Sequence, residues 1–360
     1  MPIYNAYDYL RPAMDSVIDQ TLREIEIICI DDGSTDHSLE IIKEYQKSDS
    51  RIRIITENNA GPSIARNKGL LRSRGEFVIF LDADDFYELT LIEKLYSAAV
   101  EGELDIAFSK YDIYNSKKAI FEPGVRSDRA EIFDGNKIVS KQTHPNEIFQ
   151  SVSGYVWNKM FRRSFLVDRG LLFNEEIRVF EDNYFVVTAM ALADRVGRVN
   201  ECLVHHRIYS QQSKNKLFKK YYKQVPKLYA DIKEFLMANG MYIPLSHSFL
   251  NLSASRCCKI YNILWRDAKE ELWNILHEKY AELLGWTNIE PEDIESEEAR
   301  NFVTNVLVFT HEQYQRRLKR GKAKVKGGVE RAVKDAKARK KLKGLFTLLR
   351  LRKGKKKEKE

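Results

Sequence analysis

An apolar run that ends in three carboxylates occupies residues 77–85, which read FVIFLDADD. Its apolar part, residues 77–81, is bounded by Gly75 and Asp82 and has the length and composition of a buried β-strand. On both sides of it, short apolar runs alternate with amphipathic stretches. This alternation predicts an α/β fold with a mostly parallel sheet covered by helices, in which ligands bind at the carboxyl ends of the strands.

The alternation divides the chain into three parts. The predicted strands are 26–30, 52–55, 77–81 and 104–108, and the predicted helices are the stretch after Leu39, 63–73 and 88–100. Residues 1–210 should therefore form the α/β domain. Residues 211–315 are aromatic-rich with apolar side chains at helical spacing, which predicts a helical appendage. Residues 316–360 form a basic tail.

The three carboxylates after the strand are the strongest chemical signal. Asp82, Asp84 and Asp85 repel one another, and a divalent cation with oxygen ligands would remove that penalty. The same cation could neutralise a departing diphosphate. The alternative is that Asp84 or Asp85 only caps a helix near Leu89, which accounts for one aspartate and not for three.

A second acidic cluster, DDGSTD, occupies residues 31–36 at the end of another predicted strand. Gly33 permits a tight turn, and Ser34 or Thr35 could cap the next helix. Asp32 is a candidate acceptor for the N–H of a nucleotide base. The alternative is a plain strand–turn–helix junction.

A third motif, NAGPSIARNKG, occupies residues 59–69. Ser63 could cap a helix whose first turn presents Arg66, and a helix N-terminus beside a guanidinium suits a diphosphate or a ribose. The alternative is a surface arginine on an ordinary helix.

A fourth motif, FEDN, occupies residues 180–183 before an apolar helical run. Either Glu181 or Asp182 could cap the helix, and the other could act as a general base. A base must be ionised near neutral pH, and an aspartate needs no large pKa shift for that. The two interpretations stay open on this motif alone.

Composition limits the class of protein. The content of 43% hydrophobic and 11% aromatic residues is that of a folded chain. No apolar stretch reaches the roughly 20 residues that span a bilayer, and residues 1–5 have no signal-peptide pattern. The cysteines have no zinc spacing, which indicates free thiols in a reducing cytoplasm; they are Cys29, Cys202, Cys257 and Cys258.

Charge is distributed unevenly along the chain. Residues 316–360 hold 21 Lys and Arg against 4 Asp and Glu, whereas residues 1–315 hold 39 against 48. An acidic body with a basic tail predicts that the tail binds an anionic surface.

An apolar helical face from Leu342 to Leu349 is typical of an interfacial helix on an anionic membrane. A solvated basic tail is the alternative. Nucleic acid is not an expected partner, because the acidic body would repel phosphate.

Together these motifs closely resemble family 2 glycosyltransferases, whose nucleotide-sugar fold is called GT-A. The resemblance covers residues 1 to about 210 and rests on elements that recur in order. They are residues 2–5 (PIYN), 20–21 (QT), 30–36 (IDDGSTD), 59–69 (NAGPSIARNKG), 75–77 (GEF), 81–85 (LDADD), 157–159 (WNK) and 181–182 (ED). The implied activity is transfer of a sugar from a nucleotide diphosphate donor to an acceptor hydroxyl, by single displacement with inversion.

The resemblance also implies a donor site. Tyr4 would pack on or beside the donor base, with Pro2 among the donor-binding residues. Asp32 would accept the base N–H, and Arg66 and Asp82 would contact the nucleotide. Family habit favours UDP, and GDP and dTDP stay open.

A metal and a catalytic base are implied in the same way. Asp82 and Asp84 would form the Asp-x-Asp signature, with Asp84 holding Mn²⁺ or Mg²⁺ against the diphosphate. Asp182 would be the catalytic base, with Glu181 beside it at the acceptor. The acceptor would be a carbohydrate or a lipid-linked group in cell-surface polysaccharide or glycolipid synthesis. The protein would then be cytoplasmic, with peripheral attachment at the inner face of the membrane through residues 316–360.

The start of the chain departs from the family pattern. Relatives normally carry an apolar strand immediately before the Pro-x-Tyr-Asn segment, whereas here Met1 precedes Pro2. We therefore expect that first strand to be absent and its neighbours in the sheet to lack a partner.

Two rival functions remain at this stage. A nucleotidyltransferase can have a similar sheet and aspartate site, but such enzymes usually carry a glycine-rich phosphate loop near the N-terminus. A non-catalytic protein could bind anionic surfaces through the basic tail alone. Only sugar transfer accounts for the motifs around Asp32, Asp84 and Asp182 together. The segment His205-His206-Arg207 could either touch the diphosphate or be structural.

Overall fold

The computed structural model describes residues 1–124, 130–135, 137–208 and 220–321. These residues fall into two compact units. The first contains the described residues up to 208 together with 235–245, and the second contains 220–234 and 246–321. The domain boundaries expected at 210 and 315 stay predictions.

Three parallel strands form the first sheet of the first unit. In the order β1-β2-β3 they are β1 (Pro2–Ile3), β2 (Ile27–Asp31) and β3 (Ile52–Thr56), and the helices that follow them are α1 (Tyr7–Ile18), α2 (Ser38–Ser48) and α3 (Pro62–Arg72). The apolar faces of α1 and α2 pack on β2 in one buried cluster that includes Leu10, Ile41 and Ile27. Because the strands run in the same direction, their carboxyl ends share one edge.

A second, mixed sheet completes the unit. Its strands are β4 (Phe77–Ile79), β5 (Phe86–Tyr87), β6 (Ile106–Asn115), β7 (Ile120–Pro123), β8 (Lys159–Arg162) and β9 (Val196–Ile208), in the order β4-β8-β6-β9-β5 with β7 on β6. The helices of this part are α4 (Leu91–Glu101), α5 (Arg163–Asp168) and α6 (Glu181–Leu192), with a 3₁₀ turn at Ala130–Phe133.

The α/β fold class is confirmed, but the expectation of a mostly parallel sheet is wrong for the second sheet. Among the described residues of that sheet, only β6 and β9 pair in parallel, and the other pairings are antiparallel. Parallel neighbours need a crossover connection, usually a helix, between them. The chain instead turns back directly from β6 into β7, and it reaches β8 through a segment that holds only one short 3₁₀ turn among its described residues.

A cavity of about 350 Å³ lies between the facing edges of β2 and β4. Ile27 and Ile28 line one side of it, and residues 77–79 line the other. β1 covers only the far end of β2, where Pro2 and Ile3 pair with Ile30 and Asp31. Pro2 and Ile3 themselves form β1 on β2, and the expected absence of an earlier strand stays a prediction. None of Asp84, Asp85 and Asp182 lines it.

Helix caps differ from those expected at three places. The residue before α2 is His37, not Ser34 or Thr35. Gly61 precedes α3 with φ at 98°, and Pro62 occupies the first helical turn, where its fixed φ and missing N–H are tolerated. Ser63 is therefore already inside the helix. The residue before α4 is Thr90, so neither Asp84 nor Asp85 caps it.

The second unit is helical, as expected for the C-terminal region. Its helices are α7 (Gln224–Ala238, whose last turn belongs to the first unit), α8 (Ser246–Ile263), α9 (Arg266–Ile275), α10 (Ala281–Leu283), α11 (Glu297–Val308) and α12 (His311–Gly321). Two tryptophans are fully buried in it, and each indole N–H is satisfied. Trp273 donates to the Phe309 carbonyl at 3.0 Å, and Trp286 donates to the Ser253 hydroxyl at 3.2 Å.

No helix among the described residues has the length and apolar character needed to cross a membrane. The four cysteines are free thiols, as predicted. The apolar face predicted from Leu342 to Leu349 lies outside the described residues.

Candidate active site

The loop between β4 and β5 gathers the three aspartates of the opening motif. Oxygen atoms of Asp82, Asp84 and Asp85 all lie within 4.8 Å of one another. The Tyr87 hydroxyl fixes the loop, because it accepts from the Asp82 N–H and donates to the Asp82 carbonyl, both at 2.8 Å. We call this loop the acidic loop. Because β5 lies between it and α4, none of the three aspartates caps that helix.

The cluster is electrostatically unfavourable by itself. Burial raises the pKa of Asp84 to about 7, and the charges of Asp85 and Asp82 add to the effect. Burial also raises the pKa of Asp85. A hard divalent cation takes carboxylate oxygens and would relieve this repulsion. The residues present therefore fit Mn²⁺ or Mg²⁺, the ions expected from the sequence.

The end of β9 supports the acidic loop. The Nδ1 atom of His206 lies 3.0 Å from Asp85 Oδ1, and the Arg207 backbone N–H donates to the same oxygen at 2.8 Å. The Arg207 side chain donates from Nε to the Asp84 carbonyl at 2.9 Å. His205 lies apart and bonds Asp112 and Glu88. His206 and Arg207 thus hold the acidic loop in place, and a contact of this segment with the diphosphate stays a prediction.

Arg66 on α3 joins the acidic loop to a second pair of carboxylates. Its side chain is 5% exposed, and its guanidinium lies 2.8 Å from Asp82, 2.9 Å from Asp182 and 3.3 Å from Glu181. Burial by itself would lower the pKa of Arg66, but the three carboxylates raise it above its usual value. The alternative of a surface arginine is therefore wrong. A contact between Arg66 and the nucleotide stays a prediction.

Glu181 and Asp182 stand in the first turn of α6, and neither caps it. The preceding Phe180 has a left-handed backbone with φ at 60°, which is uncommon for a bulky residue. Burial raises the pKa of Asp182 to about 7, although the Arg66 charge opposes the shift. An aspartate needs no large pKa shift to act as a base, and this one arises because only 16% of the side chain is exposed.

The two oxygens of Asp182 have different surroundings. Oδ1 is buried and faces Arg66, without a hydrogen-bond partner within the described ranges of the chain. Oδ2 accepts from the Val156 N–H at 3.4 Å, a long contact. The exposed part of the side chain therefore does not include Oδ1.

The residues expected to bind the nucleotide base of the sugar donor lie at the edge formed by β1 and β2. Asp32 is buried, and its two oxygens accept from the backbone N–H groups of Ala60 and Gly61 at 2.7 and 2.8 Å. Tyr4 is 50% exposed at the end of β1, and Pro2 lies within that strand. Asp32 thus orders the loop before α3, and its oxygens retain further acceptor capacity. The contacts of Pro2, Tyr4 and Asp32 with a base stay predictions.

Several supporting residues could not be assigned from the sequence. Asp85 was part of the acidic motif, but only the structure shows that His206 bonds it. The Trp157-Asn158-Lys159 motif was recognised in the sequence, but no role could be assigned to it there. In the structure the Trp157 ring stacks on His206 with centroids 5.2 Å apart.

A sequence model described as "Glycosyl transferase family 2" matches residues 1–170. The protein EpsH of Bacillus subtilis (strain 168) is 32% identical over 261 residues, which are 71% of this chain and 74% of EpsH. The chain belongs to glycosyl transferase family 2. This finding decides against a nucleotidyltransferase and against a purely non-catalytic protein.

Other comparisons agree with this glycosyltransferase assignment. The uncharacterized glycosyltransferase EpsJ of the same organism is 32% identical over 211 residues, and the alignment spans 58% of this glycosyltransferase and 59% of EpsJ. A crystal structure of S. aureus TarS 1–349 has the same fold, with a TM-score of 0.67 at 20% identity over 85% of each chain. TarS 1–349 has also been solved in complex with UDP and with UDP-GlcNAc.

Proposed function

We propose that this family 2 glycosyltransferase transfers a sugar from a UDP-sugar to a hydroxyl group of a cell-surface polysaccharide or glycolipid, with inversion. One observation carries the proposal. A single buried guanidinium, that of Arg66, contacts both Asp82 of the acidic loop and Asp182 at the start of α6. The group suited to hold a metal and the group suited to take a proton are thereby fixed next to each other.

Asp82 and Asp84 would hold the divalent cation, and Asp85 would be kept in place by His206 and Arg207. The cation, when bound, supplies positive charge against the diphosphate leaving group. The oxygen-only donor set supports Mn²⁺ or Mg²⁺. The UDP and UDP-GlcNAc complexes of TarS support a uridine donor.

Asp182 would act as the general base on the acceptor hydroxyl. A pKa of about 7 matches a base that works near neutral pH. Since Oδ1 is covered and faces Arg66, the hydroxyl would approach Asp182 from the side of Oδ2, which can accept a second hydrogen bond beside the long contact with Val156. Glu181 would stand beside the acceptor. The proton moves to Asp182 as the new glycosidic bond forms and the bond to the diphosphate breaks.

The test is a panel of nucleotide sugars assayed with Mn²⁺ for release of nucleoside diphosphate. Asp84→Ala and Asp182→Asn should lose at least about 100-fold in kcat, since general-base catalysis alone contributes 10²–10⁴-fold. Asp194→Asn is the control, because Asp194 is exposed and pairs with Lys141 away from the acidic loop. Full turnover in both site variants would contradict the assignment of these residues.

Peripheral membrane attachment through residues 316–360 is a further proposal, supported by the charge of that segment. Full-length protein should sediment with anionic vesicles, and a chain of residues 1–315 should sediment less. Equal sedimentation of the two chains would exclude the tail as the anchor.

A further inference from the structure

Lys159 is a buried lysine that the mechanism above does not use. It stands at the first position of β8 and is inaccessible to solvent. Burial lowers its pKa to about 7, and the charge of Asp182 opposes the shift. A buried ammonium is costly, and a methionine would fill a similar volume without that cost. A lysine here therefore indicates a need for its hydrogen bonds or its charge.

The ammonium binds the segment that precedes it, which we call the 153–158 segment. Nζ donates to the carbonyl oxygens of Ser153 at 2.9 Å and Tyr155 at 2.5 Å, and to the Asn158 side chain at 2.8 Å. Within the described parts of the chain, no carboxylate forms a salt bridge with Lys159. Its three donors are thus directed at one short stretch of chain, which they hold in a closed turn.

The 153–158 segment contacts both halves of the candidate active site. The Val156 N–H points to Oδ2 of Asp182. The Trp157 ring stacks on His206 with an angle of 14° between the planes, and His206 bonds Asp85. The position of this segment therefore affects the proposed base and the support of the acidic loop together.

We propose that Lys159 is a positioning residue, which sets the 153–158 segment so that Val156 meets Asp182 and Trp157 meets His206. This inference rests on the function proposed above, because it takes Asp182 as the base. Lys159 touches neither substrate nor metal in this role. It acts through the backbone that it binds.

The test compares Lys159→Met and Lys159→Gln with Lys141→Met in the full chain. Lys141 is a matched control because its ammonium also donates to two backbone carbonyls, those of Leu192 and Ala193, at the opposite end of α6 from Asp182. The first readout is hydrogen exchange of the amides in the 153–158 segment, which needs no substrate. Lys159→Met should accelerate this exchange at least 10-fold, Lys159→Gln should have an intermediate effect, and Lys141→Met should have none.

The second readout is the pH dependence of turnover. Lys159→Met should lower kcat at least 10-fold with little change in donor KM. It should also move the acidic limb of the kcat profile to higher pH, because the Val156 N–H no longer favours ionised Asp182. Lys141→Met should leave this limb unchanged.

Unchanged exchange in a folded Lys159→Met would overturn the proposal, as would a loss of kcat with an unmoved acidic limb. If Lys141→Met folds and neither Lys159 variant does, Lys159 serves folding alone and the proposal is overturned. If the wild-type protein turns over no nucleotide sugar, the proposed function fails, and the exchange readout still decides the role of Lys159.

Discussion

Arg66 Nη1 and Asp182 Oδ1 lie 2.9 Å apart, with 5% and 16% of the two side chains exposed. The same guanidinium also contacts Asp82 and Glu181, so one positive charge stands among three carboxylates. The Arg66 charge keeps the pKa of Asp182 from rising further. Because the carboxylates outnumber this one positive charge, we expect the acidic loop to bind a cation.

Replacing Arg66 should affect stability and catalysis together. Arg66→Met removes one partner from buried ion pairs, a change that typically costs about 3–5 kcal/mol. It should also raise the pKa of Asp182 and move the acidic limb of the kcat profile to higher pH. Urea unfolding and a pH–rate series measure the two effects. Arg53→Met is the control, because the partly exposed pair of Arg53 with Glu26 should contribute less than about 1 kcal/mol. Equal losses in the two variants would remove the special role given to Arg66.

The pH dependence should follow Asp182. Its pKa is raised from 3.8 to about 7, so kcat should rise with pH through about 7 as the base ionises. Stability should change in the opposite direction, because the folded protein holds this proton more tightly than the unfolded chain does. The contribution is therefore fully present below pH 3.8 and is lost as pH rises through about 7. Wild type should lose stability relative to Asp182→Asn across this window, measured by urea unfolding at several pH values. A constant difference between the two proteins would refute the shift.

Metal binding should stabilise the protein through the acidic loop. Mn²⁺ at 100 times its Kd should add about 2.7 kcal/mol to the free energy of unfolding, and a chelator should reverse the gain. Asp84→Asn should lose this response. Without metal at pH 8 this variant should unfold about 2–4 °C above wild type, the equivalent of about 1 kcal/mol, because a like charge has been removed. Asp194→Asn should respond to Mn²⁺ as wild type does. Thermal unfolding with and without Mn²⁺ measures these responses. A full response to Mn²⁺ in Asp84→Asn would place the metal elsewhere.

The closeness of the 153–158 segment to α6 can be tested at Gly154. A Cβ added there would lie 2.2 Å from Nδ2 and 3.2 Å from Cγ of Asn183, next to Asp182. Gly154→Ala should therefore cost about 1–3 kcal/mol as an overpacked site and should also lower kcat. Gly69→Ala in α3 is the control, because its nearest neighbour would be 3.9 Å away and alanine favours a helix. Urea unfolding and turnover of both variants decide the point. A Gly154→Ala protein as stable and active as the control would show that the two elements are not tightly packed.

The first half of the fold could be predicted from local sequence patterns. The strand expected at 52–55 is found at Ile52–Thr56, and the helix expected at 63–73 is found at Pro62–Arg72. The acidic motif also indicated the cluster of Asp82, Asp84 and Asp85, since its members are close in sequence. The mixed second sheet could not be predicted in this way, because antiparallel pairing depends on connections that leave no periodic signal.

The sequence by itself determined the strand–helix alternation and the positions of the acidic motifs, because periodicity and residue type act over a few neighbouring positions. Tertiary structure decided which charges meet. Arg66, Asp82 and Asp182 come from three separate segments of the chain. Only packing brings the two carboxylates within about 3 Å of the Arg66 guanidinium. The same packing buries Asp182, which moves its pKa to about 7. Desolvation and charge pairing are properties of the folded interior, so no local pattern could have shown them.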